Sequence, residues 1–72
     1  MSVFSDKLKE LRKKTGKRQT ALAELLGVAP RIVRFYESGQ FEPNIERIIK
    51  IADFYDVSTD YLLGRSNDPK RH

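Results

Sequence analysis

Cysteine is absent from the 72 residues, and histidine occurs once, at the final position, His72. The first absence excludes disulfide staples, thiolate metal sites and cysteine nucleophiles together. The second leaves zinc binding and histidine-based catalysis without support, because a terminal histidine is expected to fray. No apolar run approaches the ~20 residues that span a bilayer, and no signal peptide opens the chain. Strand-like alternation, internal repeats and low-complexity segments are missing as well. Length sets a further bound. The 72 residues predict one domain with no sensor unit beside it. Its core must be efficient, since so short a chain buries only roughly 60% of its unfolded surface. The expectation is a small all-α domain of the cytoplasm, with no metal or cofactor and no enzymatic activity.

What is present is charge, and its placement is uneven. Residues 7 to 34 hold nine Lys/Arg against Glu10 and Glu24, a net +7. Residues 35 to 64 hold Arg47 and Lys50 against six acids, a net −4. A basic half joined to an acidic half has the form of an electrostatic footprint for a polyanion. Solvated lysines alone would produce a basic domain too, so charge needs a second observation beside it.

The apolar spacing predicts five helices. Phe4, Leu8 and Leu11 make one stripe on helix one, with Ser2 or Ser5 available as its cap, and Gly16 follows its cationic end. Helix two runs from Gln19 to Leu26 and stops at Gly27. Helix three begins after Ala29, with Pro30 in its first turn, and stops at Gly39. Asn44 caps helix four, whose inward stripe is expected to be Ile45, Ile48, Ile49 and Ala52, with Ile51 and Tyr55 on its flank. Ser58 caps a short fifth helix through Leu63, closed by Gly64. Residues 65–72 are polar, contain Pro69 and read as a tail, which places the domain at 1–64.

The segment 19–38 carries the functional signal. Two short helices meet at Gly27, with only Val28 and Ala29 completing the turn. A steep crossing needs backbone freedom at Gly27, a small side chain at Ala23, and a wedge that Leu22, Leu26, Val28, Val33 and Tyr36 can fill. Ala23, four positions to Gly27, and six more to the β-branched Val33 is the spacing of a helix-turn-helix.

The chain resembles the lambda-repressor-like, Cro/cI-type (XRE) family of DNA-binding domains from Phe4 to Gly64. The resemblance lies in FSDKLKELRKKTG, QTALAELLGV, the YESG that ends helix three, the EPN before helix four, and IIKIADFYDVSTDYLLG. It implies a compact five-helix domain with the helix-turn-helix formed by helices two and three. It also implies operator binding through helix three in the major groove of double-stranded DNA, usually as a two-fold dimer that represses or activates transcription.

Residue by residue, Gln19 matches a family glutamine that holds a phosphate and braces helix three. Lys17 and Arg18 stand where the family more often has leucine and a Thr/Ser cap; two cations at the positive end of a helix dipole favour a phosphate nearby. Thr20 and Pro30 belong to the same expected DNA-facing surface. With Val33 and Tyr36 pointing inward, Arg31, Phe35 and Ser38 point outward and Arg34 lies on the flank. Arg31 is the candidate for base readout, because a guanidinium fork matches the guanine O6/N7 edge; phosphate contact alone is the other reading for Arg31 and Arg34. Pro30, Ile32, Phe35 and the loop Gln40-Phe41-Glu42 depart from the family. Phe35 could meet a thymine methyl or a protein, and Glu42 should repel a phosphate.

Glu37 could be taken for a cytosine reader, but its register faces helix one. The family's matching glutamate pairs structurally with the arginine that is here Arg12. The cluster Phe54, Tyr55, Tyr61, Leu62 and Leu63 exceeds what so small a core hides, so Tyr55, Tyr61 and Leu62 are expected at a homodimer contact. The rival readings are a protein-interaction module, such as an antirepressor or adaptor, and the DNA-binding part of an enzyme or toxin–antitoxin pair. A protein antagonist is a further expected partner.

Overall fold

A computed structural model describes residues 3–71. The Ser2 cap and the terminal His72 lie outside the described residues. The elements are α1 (Val3–Thr15), α2 (Gln19–Leu26), α3 (Pro30–Ser38), α4 (Ile45–Tyr55) and α5 (Thr59–Leu62), with no strand among the described residues. The all-α expectation therefore holds. The body measures 30 × 23 × 21 Å. Helix α3 packs on both α1 and α2, α4 packs on α2 and α5, and α1 closes against α5.

Each helix buries the face that its spacing dictates. Phe4, Leu8 and Leu11 of α1 meet Leu22, Ala23 and Leu26 of α2 and Val33 and Tyr36 of α3 in one core. Ser5 is fully buried within α1 and one residue past Phe4, so it is an interior position of the helix and not its cap. Gly27, at φ +71, lets α2 end in a Schellman motif: its N–H donates to the Glu24 carbonyl and the Val28 N–H to the Ala23 carbonyl. Gly39, at φ +82, ends α3 in the same way through Phe35 and Tyr36. Asp56 repeats the motif after α4 at φ +55, a conformation its short polar side chain tolerates.

Helix α4 departs from the expected register. Its buried residues are Ile51, Ala52 and Tyr55, with Ile48 packed beside them, whereas Ile45 is 77% exposed and Ile49 48%. Two helical phases share Ile48 and Ala52: one adds Ile45 and Ile49, the other Ile51 and Tyr55. The second puts a tyrosine ring and a β-branched side chain into the core next to Val57, and it prevails. Asn44 and Ser58 cap α4 and α5 as their sequence positions suggest, accepting from the Arg47 N–H at 2.9 Å and the Tyr61 N–H at 3.0 Å.

The segment after α5 folds back on the domain. Pro69 offers its carbonyl to the Ser58 N–H, the Arg65 N–H donates to the Asp60 carbonyl, and Arg71 pairs with Asp53 and Asp56 at the end of α4.

Candidate nucleic-acid interface

Helix α3 separates an apolar inner face from a cationic outer one. Val33, Tyr36 and Glu37 are buried, Arg31, Arg34 and Ser38 are exposed, and Phe35 is half-buried between the two classes. Among the described residues no carboxylate lies within ion-pair distance of Arg18, Arg31 or Arg34. The Ser38 hydroxyl is turned back on its own helix, donating to the Phe35 carbonyl at 3.1 Å.

A basic hollow of about 390 Å³ opens where α1 gives way to α2, lined by Arg12, Lys13, Gly16, Lys17, Arg18 and Gln19. Gln19, half-buried, is the first residue of α2, and Thr20 beside it is exposed. Arg18 occupies the N-cap position with extended backbone but gives no side-chain hydrogen bond, and the first turn of α2 carries no acid. Helix α3 starts likewise on Ala29 without a side-chain cap, with Pro30 at its head. The Ala21 and Ile32 N–H groups donate to the Arg18 and Ala29 carbonyls, at 3.1 Å and 2.9 Å, so the start of α2 presents the positive end of its dipole to the cation-lined hollow without a neutralising side chain.

Lys17 departs from the other cations. Its ammonium donates to the Phe54 carbonyl at 2.6 Å and stands over the Phe54 ring, 4.8 Å from the centroid. It thus ties the α1–α2 turn to the end of α4 instead of reaching out from the hollow.

Glu37 and Arg12 form the pair that fixes α3 on α1. Arg12 Nε donates to both carboxylate oxygens, at 2.8 Å and 3.1 Å. The Glu37 carboxylate is buried, while the Arg12 side chain is 31% exposed and also borders the basic hollow. The hydrogen bond to Glu37 raises the Arg12 pKa above its ordinary value against the opposing effect of burial. Tyr55 senses the same pair: its pKa is pushed up to about 12 by burial first and by the Glu37 charge second, with Arg12 opposing. Arg47 adds a bond that nothing in the chain's spacing announces, donating from Nη1 to the Tyr36 hydroxyl at 2.9 Å and so tying α4 to α3.

A helix-turn-helix family model matches residues 8–62, and the paired helices α2 and α3 lie within that span. The chain belongs to the Cro/cI-type (XRE) helix-turn-helix family. It is 36% identical over 66 residues to the HTH-type transcriptional regulator ImmR of Bacillus subtilis, covering 92% of this chain and 52% of that protein. It is 37% identical over 62 residues to the cryptic phage CTXphi transcriptional repressor RstR of Vibrio cholerae, covering 86% and 55%. Among solved structures, the P22 c2 repressor in complex with a synthetic operator is similar at a TM-score of 0.80 and 29% identity, covering 92% of this chain and 100% of that one. The chain thus spans about half the length of the two bacterial regulators.

For this family member one expected surface needs correction. Tyr55, Tyr61 and Leu62 are buried within a single copy, because α4 settles in the phase that turns Tyr55 inward and α5 presses Leu62 and Tyr61 against α1 and α4. They leave no surface for a second copy. Among the described residues the large exposed apolar side chains are Val3, Leu25, Phe41, Ile45, Ile49 and Leu63. Glu42 borders a second, apolar hollow of about 330 Å³ formed by Val3, Phe4, Pro43, Ile48 and Leu63. No helix among the described residues is long and apolar enough to cross a membrane, and none of them group as a metal-binding cluster.

Proposed function

We propose that the chain is the operator-binding domain of a transcriptional regulator, acting in the cytoplasm and most simply as a repressor. In this reading α3 enters the major groove and the uncapped start of α2 rests on the backbone. The observation that carries the proposal is the outer face of α3, where Arg31 and Arg34 stand exposed and unpaired while Val33 and Tyr36 hold the inner face in the core. Arg31 reads a base edge, its guanidinium matching guanine O6/N7. Arg18, Gln19 and Thr20 hold phosphate, joined by Lys13 and by Arg34 at the flank, with Pro30 and Ser38 at the ends of the reading helix. Lys17 contributes by position, holding the α1–α2 turn against α4.

One such helix reads only a few base pairs, so the operator is a palindrome met by a homodimer. Ile45, Ile49 and Leu63 supply exposed apolar surface for the second copy. Relatives named as a repressor and as regulators support the assignment without supplying an operator sequence.

Selection from random duplexes by the purified protein tests this reading directly. An enriched half-site with two-fold symmetry is the expected result. With four to six phosphates neutralised per copy, log K against log[salt] should slope near −4 to −5 for each half-site, at about 0.9 per phosphate. A flat salt dependence and no enriched sequence would overturn the proposal.

A further inference from the structure

The cationic face of α3 contains one aromatic ring, and the ring is braced. Phe35 lies four residues after Arg31, so both share one face of the helix, with Arg34 adjacent. The chain then turns at Gly39 and returns, so that the N–H groups of Gln40 and Phe41 both donate to the Phe35 carbonyl, at 3.0 Å and 3.4 Å. The Ser38 hydroxyl donates to the same oxygen. This return sets the Phe41 ring edge-on against Phe35, with centroids 4.9 Å apart and planes at 71°. Phe41 is itself 51% exposed, so its ring serves as a prop on the surface and not as part of the core.

We infer that Phe35, held by Phe41, reads the C5-methyl group of a thymine in the half-site that Arg31 contacts. The inference rests on the operator-binding reading above. The thymine methyl is the one apolar feature that a base pair offers in the major groove. A ring already fixed by its neighbours loses little rotamer freedom on meeting it. An apolar protein surface suits this place poorly: it would have to cover Arg31 and Arg34, which have no carboxylate partner, whereas DNA brings phosphates that neutralise them. The helix also sets a distance. Four residues advance about 6 Å along α3, which is between one and two base-pair steps of about 3.4 Å. The methyl therefore belongs to a thymine one or two base pairs from the guanine read by Arg31.

The test uses the duplex that the protein itself selects, resynthesised with uracil in place of each thymine in turn, so that a single methyl is deleted. The unmodified protein should lose roughly fourfold in affinity at one position per half-site, the change that corresponds to one buried methyl group. That position should lie one or two base pairs from the guanine whose replacement no longer matters in Arg31→Ala. In Phe35→Ala the uracil penalty should vanish at that position, and in Phe41→Ala, which keeps the reading ring and removes its prop, it should shrink. The uracil series on the unmodified protein needs no variant, so a folding defect in either substitution leaves the inference exposed to refutation. An Arg31-dependent half-site with no uracil penalty, or with the same penalty in Phe35→Ala, would overturn this inference and leave operator binding standing. Failure to enrich any duplex would overturn the reading beneath it.

Discussion

Helices α2 and α3 start differently from helices α4 and α5. The first two begin on Arg18 and Ala29, whose side chains cap nothing, and neither carries an acid in its first turn. The second two begin on Asn44 and Ser58, each accepting a backbone N–H, with Glu46 and Asp60 beside them. All four helices have a positive end and orphan N–H groups to satisfy, one fewer at α3, where Pro30 carries no N–H. In the half with a net charge of −4 the protein satisfies them internally. In the half with a net +7 the Ala21 and Ile32 N–H groups turn instead to the carbonyls of Arg18 and Ala29, and the cations beside the start of α2 make the free state less favourable. Capping is cheap in sequence terms, one serine or aspartate per helix. Its omission at the start of α2 suits the anion-binding role proposed for the basic hollow, whereas α3 opens on Pro30, itself a favourable first helical residue.

The contrast depends on α3 being held rigidly between the halves, so the largest effect is expected where that hold is broken. Arg12→Ala leaves the buried Glu37 carboxylate without its partner and should destabilise the fold by about 3 kcal/mol, at the lower end for a buried pair because Arg12 is itself partly exposed. Chemical denaturation would measure this. Replacing both members, with Arg12→Met and Glu37→Leu together, should recover much of the loss, since no buried charge is then stranded. An Arg12→Ala protein as stable as the parent would mean that the pair adds nothing to the packing that holds α3 on α1.

Next in size are the contacts assigned to the basic face. Arg31→Ala should cost about 1–3 kcal/mol on the selected operator and little on random DNA, so it flattens the sequence preference. Arg18→Ala should weaken both complexes alike and make the salt slope shallower by about one. Titrations of both duplexes at several salt concentrations separate the two roles. If Arg31→Ala and Arg18→Ala behaved identically, base readout would have to be sought elsewhere on α3.

The caps offer a smaller and more pointed test. Arg18→Asp supplies α2 with a capping oxygen and removes a cation from the positive end of its dipole, so the free protein should gain about 1 kcal/mol. The same change puts a carboxylate into the basic hollow and should weaken DNA binding. Asn44→Ala should do the reverse at α4, costing about 1 kcal/mol of stability with operator affinity unchanged per folded molecule. Thermal melts beside binding curves would show whether stability and affinity move in opposite directions at α2 and independently at α4. Movement in the same direction at α2 would break the comparison between the halves.

Legibility in the sequence follows how local each interaction is. Gly27, Gly39, Asn44 and Ser58 act within five residues of themselves, and their turns and caps can be read from the chain directly. The face of α4 cannot, because Ile45, Ile48, Ile49, Ile51 and Ala52 satisfy two helical phases, and only the space around Tyr55 and Val57 chooses between them. The mistaken dimer residues have the same origin: a count of aromatic side chains overstated the surplus once Tyr55, Tyr61 and Leu62 had all found places inside. Lys17 is basic and adjacent to the hollow, yet its partner is 37 residues away, at the Phe54 carbonyl. The bond from Arg47 to Tyr36 and the ring of Phe41 against Phe35 depend likewise on how the α3–α4 loop returns, which spacing does not encode. On the basic face the register shows which side chains point outward, and Arg18 and Ala29 before α2 and α3 already show that no side chain caps them; the carbonyls that take the Ala21 and Ile32 N–H groups become visible only with the backbone in place.

The smallest expected effect is a titration at the seam between the halves. Tyr55 belongs to the acidic half but lies close enough to Glu37 and Arg12 to sense both charges. Its phenol titrates at about 12 in the folded protein against an ordinary 10.0, mainly because burial disfavours the phenolate and then because Glu37 repels it. Between those values the folded state keeps a proton that the unfolded chain has given up. Unfolding then releases protons, so this contribution to stability is whole below about pH 10 and is lost as the pH rises toward 12. Lysines titrate in the same range, and for that reason the informative quantity is a difference. Tyr55→Phe keeps the ring and removes the ionisable group, so its melting temperature should fall less steeply than the parent's across that window. Equal slopes for the two proteins would mean that burial and the Glu37 charge together leave the Tyr55 phenol no harder to ionise than in the unfolded chain.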